Sequence, residues 1–103
     1  MTPQELTRLI EEELALAGAG FVWHGRSLRE CLREPAKRRF LNSHANNAPE
    51  DLWLVFEEGP TSGEGYMVVY DEGLNEFGLA VHGTTDPVLI GIYGGFVETL
   101  NSM

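Results

Sequence analysis

The chain has 103 residues, 43% of them hydrophobic, with a single cysteine and a net charge of −9. This length suits one domain, residues 1–103, which buries about two thirds of the surface that the unfolded chain exposes and needs no metal or disulfide. One cysteine excludes an internal disulfide, no apolar run reaches the roughly 20 residues of a membrane span, and no secretory signal is recognisable. A cytoplasmic protein is therefore the expectation.

The charges are unevenly divided along the chain. Residues 26–39 hold six of the seven Lys and Arg side chains, whereas residues 40–103 hold ten carboxylates and no Lys or Arg. Such an imbalance affects association rather than fold. Nucleic acid is disfavoured as a partner, because those carboxylates would approach the same polyanion as the basic segment.

Two helices are predicted before residue 42. The first begins at Thr2-Pro3-Gln4-Glu5, which combines a capping threonine, a proline at the first helical position and a glutamate three residues after the cap. Its end is expected at Gly18. The second begins at Ser27-Leu28-Arg29-Glu30, breaks at Pro35 and continues for a turn over residues 36–41. Between them, Phe21-Val22-Trp23 is either an edge strand or a buried connector.

Four strand-length apolar runs follow a predicted loop over residues 42–51, and they cover residues 52–56, 66–70, 77–81 and 88–93. Their β-branched and aromatic residues, separated by turn residues, predict an antiparallel meander. We expect left-handed Gly73 in the second hairpin, and close approach of a neighbour at Gly78 and Ala80.

The predicted fold class is therefore α+β. The N-terminal helices pack on a four-stranded antiparallel meander, which becomes five-stranded if residues 21–23 join it. A short helix after Gly94-Gly95 ends the fold.

No catalytic or metal-binding arrangement stands out. His24, His44, His82 and Cys31 show neither CxxC nor HxxxH spacing, so we predict no metal and no cofactor. Cys31 shares a helical face with Leu28 and Leu32, which favours a buried thiol over a nucleophile. The sequence favours a protein without enzymatic activity.

Two charged surfaces are candidate binding sites. The acidic one lies at predicted strand ends and comprises Glu57, Glu58, Asp71, Glu72 and Glu76. The basic one follows helical steps and comprises Arg26, Arg29, Arg33 and Lys37. The alternative for both is a solvated face, with the basic residues neutralising the acidic sheet.

The leading hypothesis is a small, non-catalytic module that binds or inhibits a basic protein. In size, charge and element order the chain resembles immunity proteins that neutralise bacterial toxins, although no motif identifies that family. One alternative is a small-molecule-binding protein or enzyme with an aromatic pocket between helices and sheet, lined by Trp23, Trp53, Tyr66, Tyr70 and Tyr93. Another is a homodimer formed through a sheet edge or face.

Overall fold

A computed structural model of the chain describes residues 1–17, 31–59, 64–83 and 86–102. Helix α1 spans Pro3–Ala17 and the short helix α2 spans Phe96–Leu100. Five strands lie between them: β1 (Leu32–Asn42), β2 (Ala48–Gly59), β3 (Glu64–Asp71), β4 (Glu76–Val81) and β5 (Val88–Gly94). The predicted α+β class, with an N-terminal helix, a meander and a short C-terminal helix, is confirmed, and the sheet has five strands.

Consecutive strands pair antiparallel from β1 through to β5. In addition, β5 returns to β1 and pairs with it in parallel at Leu41↔Val88 and Asn42↔Leu89, so the sheet closes on itself. Three hydrogen bonds reinforce this seam: Leu41 N–H to the Pro87 carbonyl (2.9 Å), Ser43 Oγ to the Leu89 carbonyl (2.8 Å) and His44 Nε2 to the Ile90 carbonyl (2.9 Å). The simple meander prediction did not include this closure.

Strand β1 corrects the prediction of a helical turn over residues 36–41. The segment pairs with β2 in continuous register from Ala36↔Leu54 to Asn42↔Ala48. Its Lys and Arg residues favour strands weakly, but the ladder with β2 and the burial of Phe40 outweigh that local preference. Cys31, just before β1, is helical. The start of the second predicted helix, residues 27–30, and the possible edge strand over residues 21–23 lie outside the described residues.

Asparagines, rather than glycines, take the left-handed conformation in two hairpins. Asn46 and Asn47 have φ angles of 54° and 59°, and β2 begins directly after them, so the predicted loop over residues 42–51 is mostly a hairpin. In the β3–β4 hairpin the prediction for Gly73 is wrong, because the left-handed residue is Asn75 with φ 55°. An asparagine tolerates this region better than other residues that have a side chain.

The sheet has a hydrophobic cluster on each face. The larger joins both helices to the sheet and includes Leu6, Ile10, Leu14, Cys31, Trp53, Val55, Phe56, Val68, Tyr70, Phe77, Leu79, Phe96 and Leu100. The smaller contains, among the described residues, members from each of the five strands and none from a helix: Phe40, Leu52, Met67, Val69, Ala80 and Leu89. A bulge in β2 opposite Val68 and Val69 places both Val55 and Phe56 in the larger cluster.

Close packing between β4 and β5 explains the small residue at position 78. A Cβ atom on Gly78 would lie 2.8 Å from the Ile92 Cδ1 atom, in addition to meeting the Gly91 carbonyl. The predicted close approach at this strand is therefore confirmed, and it comes from β5.

Candidate protein-binding surfaces

The five acidic residues singled out in the sequence fall into two groups. Glu57 and Glu58 lie at the end of β2, beside Met67 and Tyr66 of β3. The other three, Asp71, Glu72 and Glu76, lie in and beside the β3–β4 hairpin. At about 3.3 Å per strand residue, β3 separates the groups by roughly 15 Å. The structure therefore offers two small acidic surfaces rather than a continuous one.

Glu57 and Glu58 both have partners within the fold. The Glu57 carboxylate lies 3.0 Å from Nε of Arg33 on β1. Glu58 Oε1 accepts a hydrogen bond from the Tyr66 N–H at 3.1 Å and packs over Gly65, whose φ of +91° and lack of a Cβ make room for that side chain. These two acids therefore shape the β2–β3 connection.

Residues 71–76, called here the 71–76 hairpin, form an ordered turn. Asp71 Oδ1 accepts hydrogen bonds from the N–H groups of Gly73 (2.9 Å) and Leu74 (3.2 Å), and the buried Tyr70 hydroxyl donates to Asn75 Oδ1 (2.9 Å). Burial, followed by the charges of Glu72 and Asp71, raises the pKa of Tyr70. Leu74 stands at the tip with 58% of its surface exposed.

Glu72 links the hairpin to two other elements. Its carboxylate lies 2.7 Å from the Met1 ammonium and 3.4 Å from Nζ of Lys37. The hydrogen bond from the ammonium, followed by that from Lys37, lowers the pKa of Glu72, and the same carboxylate raises the pKa of the ammonium. All three groups lie at the surface, so solvent screening weakens these pairs.

The basic residues do not form the predicted helical stripe in the described part of the chain. Arg33 and Lys37 lie on β1, and Arg26 and Arg29 lie outside the described residues. Helical spacing also missed Arg39, which alternation along a strand places on the same side as Lys37, with its Nε 3.2 Å from Asp86 Oδ2. Three β1 cations thus pair with acids of β2, the 71–76 hairpin and the segment before β5.

A cavity of about 420 Å³ lies between α1 and the start of β1, and it is lined by Thr7, Ile10, Glu11, Leu32, Arg33 and Glu34. None of the described aromatic residues that we expected around a pocket lines it. Trp53 and Tyr70 belong to the core, Tyr66 packs against it, and Tyr93 is 38% exposed. Trp23 lies outside the described residues.

Cys31 is buried, as predicted, and its thiol donates to the Glu58 carbonyl at 3.9 Å. Within residues 1–17, 31–59, 64–83 and 86–102, no three His, Cys, Asp or Glu side chains are placed to share a metal ion. Neither helix in those ranges is long and apolar enough to cross a bilayer. Comparisons with protein families, curated proteins and solved structures find no match to this chain, so the candidate surfaces depend on its own geometry.

Proposed function

We propose that the chain is a small, acidic, non-catalytic module that binds a basic protein through its 71–76 hairpin. The observation that carries this proposal is the exposure of Leu74, at 58%, on a hydrogen-bonded tip beside Glu72 and Glu76. Protein interfaces commonly combine an apolar centre with a polar or charged rim. The hairpin presents that combination on a small scale.

The order of the hairpin favours binding. The bonds from the Asp71 carboxylate to Gly73 and Leu74, and from Tyr70 to Asn75, fix the tip in the free protein. Binding then costs less conformational entropy than it would for a loose loop.

Electrostatics supports a basic partner. The net charge of −9 attracts a cationic protein and raises the rate of encounter, most strongly at low ionic strength where exposed charges are least screened. The partner surface would carry an apolar pocket for Leu74, surrounded by Lys or Arg. An inhibitor that binds over the Lys- and Arg-rich active site of an enzyme would be one example of such a module.

The test compares two double variants with equal changes in charge. Glu72→Gln with Glu76→Gln alters the hairpin, whereas Glu57→Gln with Glu58→Gln alters the other acidic group and serves as the matched control. Partners captured by the wild-type protein at low ionic strength from its native cells would be purified, and their Kd values measured at two salt concentrations.

We expect the double variant at Glu72 and Glu76 to bind the partner more weakly and with a smaller salt dependence than the wild type. The control double variant at Glu57 and Glu58 should bind like the wild type. Leu74→Ala should raise Kd by about tenfold or more, as for a central apolar contact. Equal losses in both double variants, or no partner at low ionic strength, would refute the proposal.

The cavity between α1 and β1 supports a second candidate function, small-molecule binding. Its volume of about 420 Å³ falls within the range of ligand pockets. A metabolite that binds there would raise the melting temperature of the wild type. The same metabolite should have no effect on Thr7→Trp, which fills the cavity, and an equal rise in that variant would exclude this site.

A further inference from the structure

Strand β1 has one edge that is paired over residues 36–42 and one edge that is largely open. Residues 36–42 pair continuously with β2, whereas on the other side only Leu41 and Asn42 pair with β5. Residues 36–39 have no strand next to that second edge within the described residues. We call this segment the free edge of β1.

Main-chain groups of Lys37 and Arg39 point out of the free edge. The Leu41 N–H donates to the Pro87 carbonyl, so it points away from β2. The residue opposite Leu41 on β2 is Pro49, which has no N–H and therefore suits a cross-strand pair without hydrogen bonds. The main-chain N–H and C=O groups of successive residues point to opposite edges of a strand. Those of Arg39 and Lys37 therefore point to the same edge as those of Leu41, away from β2.

The free edge is basic and accessible. The side chains of Lys37 and Arg39 are 50% and 62% exposed, although each contacts an acid of the fold. The neighbouring Arg38 is exposed and has no ion-pair partner among the described residues. Within the described part of the chain, an incoming strand would therefore meet main-chain groups that no other strand pairs with, together with a guanidinium that has no ion-pair partner.

A second copy of this chain fits the free edge poorly. Antiparallel self-pairing centred on Arg38 would place Arg38 opposite itself and Lys37 opposite Arg39. Like charges directly opposite each other destabilise a strand pair, and cations on edge strands are a common protection against self-association. The charges instead favour a strand that carries carboxylates.

We propose that an extended, acidic segment of another protein adds to the free edge of β1 as a sixth strand. Its main chain hydrogen-bonds to Lys37 and Arg39, and a carboxylate pairs with Arg38. Strand addition of this kind takes affinity from main-chain bonds and specificity from alternate side chains. The overall charge of −9 slows the approach of an acidic segment, but it does not prevent pairing with Arg38 on contact, because repulsion from exposed charges beyond about 8 Å is largely screened at physiological ionic strength. This site goes beyond the proposed function, since its ligand is acidic and the ligand of the 71–76 hairpin is basic.

The experiment uses an eight-residue peptide of alternating threonine and glutamate as the probe. Amide exchange and ¹H–¹⁵N chemical shifts of the full chain are recorded during titration with this peptide. We expect slower exchange at the Lys37 and Arg39 amides, while the Arg38 amide, which already faces β2, should change less. Arg38→Glu should weaken peptide binding by about tenfold, whereas Arg8→Glu, the same charge change on α1, should have little effect.

A second peptide separates strand addition from simple charge attraction. It has the same sequence, with N-methyl groups on the main-chain nitrogens that would face β1. Loss of binding supports the proposal, because the methyl groups remove donors and leave the charge unchanged. Equal binding of both peptides, no protection at Lys37 and Arg39 at millimolar peptide, or dimerisation of the free protein through this edge would overturn it.

Discussion

Helix α2 depends on a carboxylate supplied by another helix. Both oxygens of Glu13 on α1 accept hydrogen bonds from the Phe96 N–H, at 2.9 and 3.0 Å, and Oε1 lies 3.4 Å from the Val97 nitrogen. These N–H groups begin α2 and have no acceptor within a helix. Since α2 has only five residues, Glu13 supplies a large part of the hydrogen bonding at its start.

Replacing Glu13 with alanine should lower the free energy of unfolding by about 2 kcal/mol. Loss of a helix cap typically costs about 0.5–2 kcal/mol, and hydrogen bonds to a charged group lie in the upper part of that range or above it. Glu13→Gln should lower the free energy of unfolding by about half as much, because the amide oxygen still accepts a hydrogen bond. Glu12→Ala is the matched control, an exposed residue on the same helix whose replacement should change stability by less than about 0.5 kcal/mol.

Urea unfolding followed by tryptophan fluorescence measures these differences, and amide exchange at Phe96 and Val97 reports the cap directly. A Cβ atom at Gly95 would lie 2.8 Å from Glu13 Oε1, so Gly95→Ala should displace the carboxylate. That variant should therefore be destabilising in the wild type and nearly neutral in the Glu13→Ala background. Equal stability of Glu13→Ala and Glu12→Ala would refute this role of Glu13. So would a double variant, Glu13→Ala with Gly95→Ala, whose loss in free energy of unfolding equals the sum of the two single losses.

Three further predictions concern the surface and the core. Glu72→Gln should lower the melting temperature most between pH 4.5 and 8.0, which are the ordinary pKa values of a glutamate and of a terminal ammonium. The pKa of Glu72 is lowered, so the stability that its ion pairs contribute is lost as pH falls below this range. The pKa of the Met1 ammonium is raised, so the stability of its pair with Glu72 declines as pH rises above this range. A constant difference from pH 3 to 10 would contradict this pairing. Gly78→Ala should cost about 1–3 kcal/mol in urea unfolding, because its Cβ meets Ile92 and the β5 backbone; unchanged stability would disprove the close contact. Trp53→Phe should cost less than about 1.5 kcal/mol by the same measurement, since the buried indole N–H has no hydrogen-bond partner among the described residues; a loss as large as that of Phe56→Ala, about 3–5 kcal/mol, would indicate an acceptor.

The sequence pattern was sufficient for the elements whose local and tertiary preferences agree. Helix α1 has a capping box and an apolar stripe, and β2 to β5 contain β-branched and aromatic runs between turn residues. Strand β1 was missed because it contains four cations and Pro35, and because its arginines also fit helical steps. Asn46-Asn47 was a usable signal, since paired asparagines before an apolar run favour the left-handed turn of a hairpin.

The candidate sites were harder to predict, because they depend on contacts between distant segments. No local pattern shows that Arg33 meets Glu57 or that Lys37 meets Glu72. Correct assignment of β1 as a strand would have placed Lys37 and Arg39 on the same side, but the open edge beside them follows only from how far β5 overlaps β1. The division of the acids into two groups likewise follows from the length of β3.

The two-residue parallel pairing between β1 and β5 also affects the order in which the protein folds and unfolds. Every other strand pairing joins neighbours in the chain, whereas the seam joins segments such as Arg39 and Asp86, which are 47 residues apart. Closing so long a loop is entropically costly, so the antiparallel pairs should form before the ring closes. Under force or in mild denaturant, the ring should then split between β1 and β5 first. The protein would pass from a cylinder to an open, curved ribbon before its helices detach.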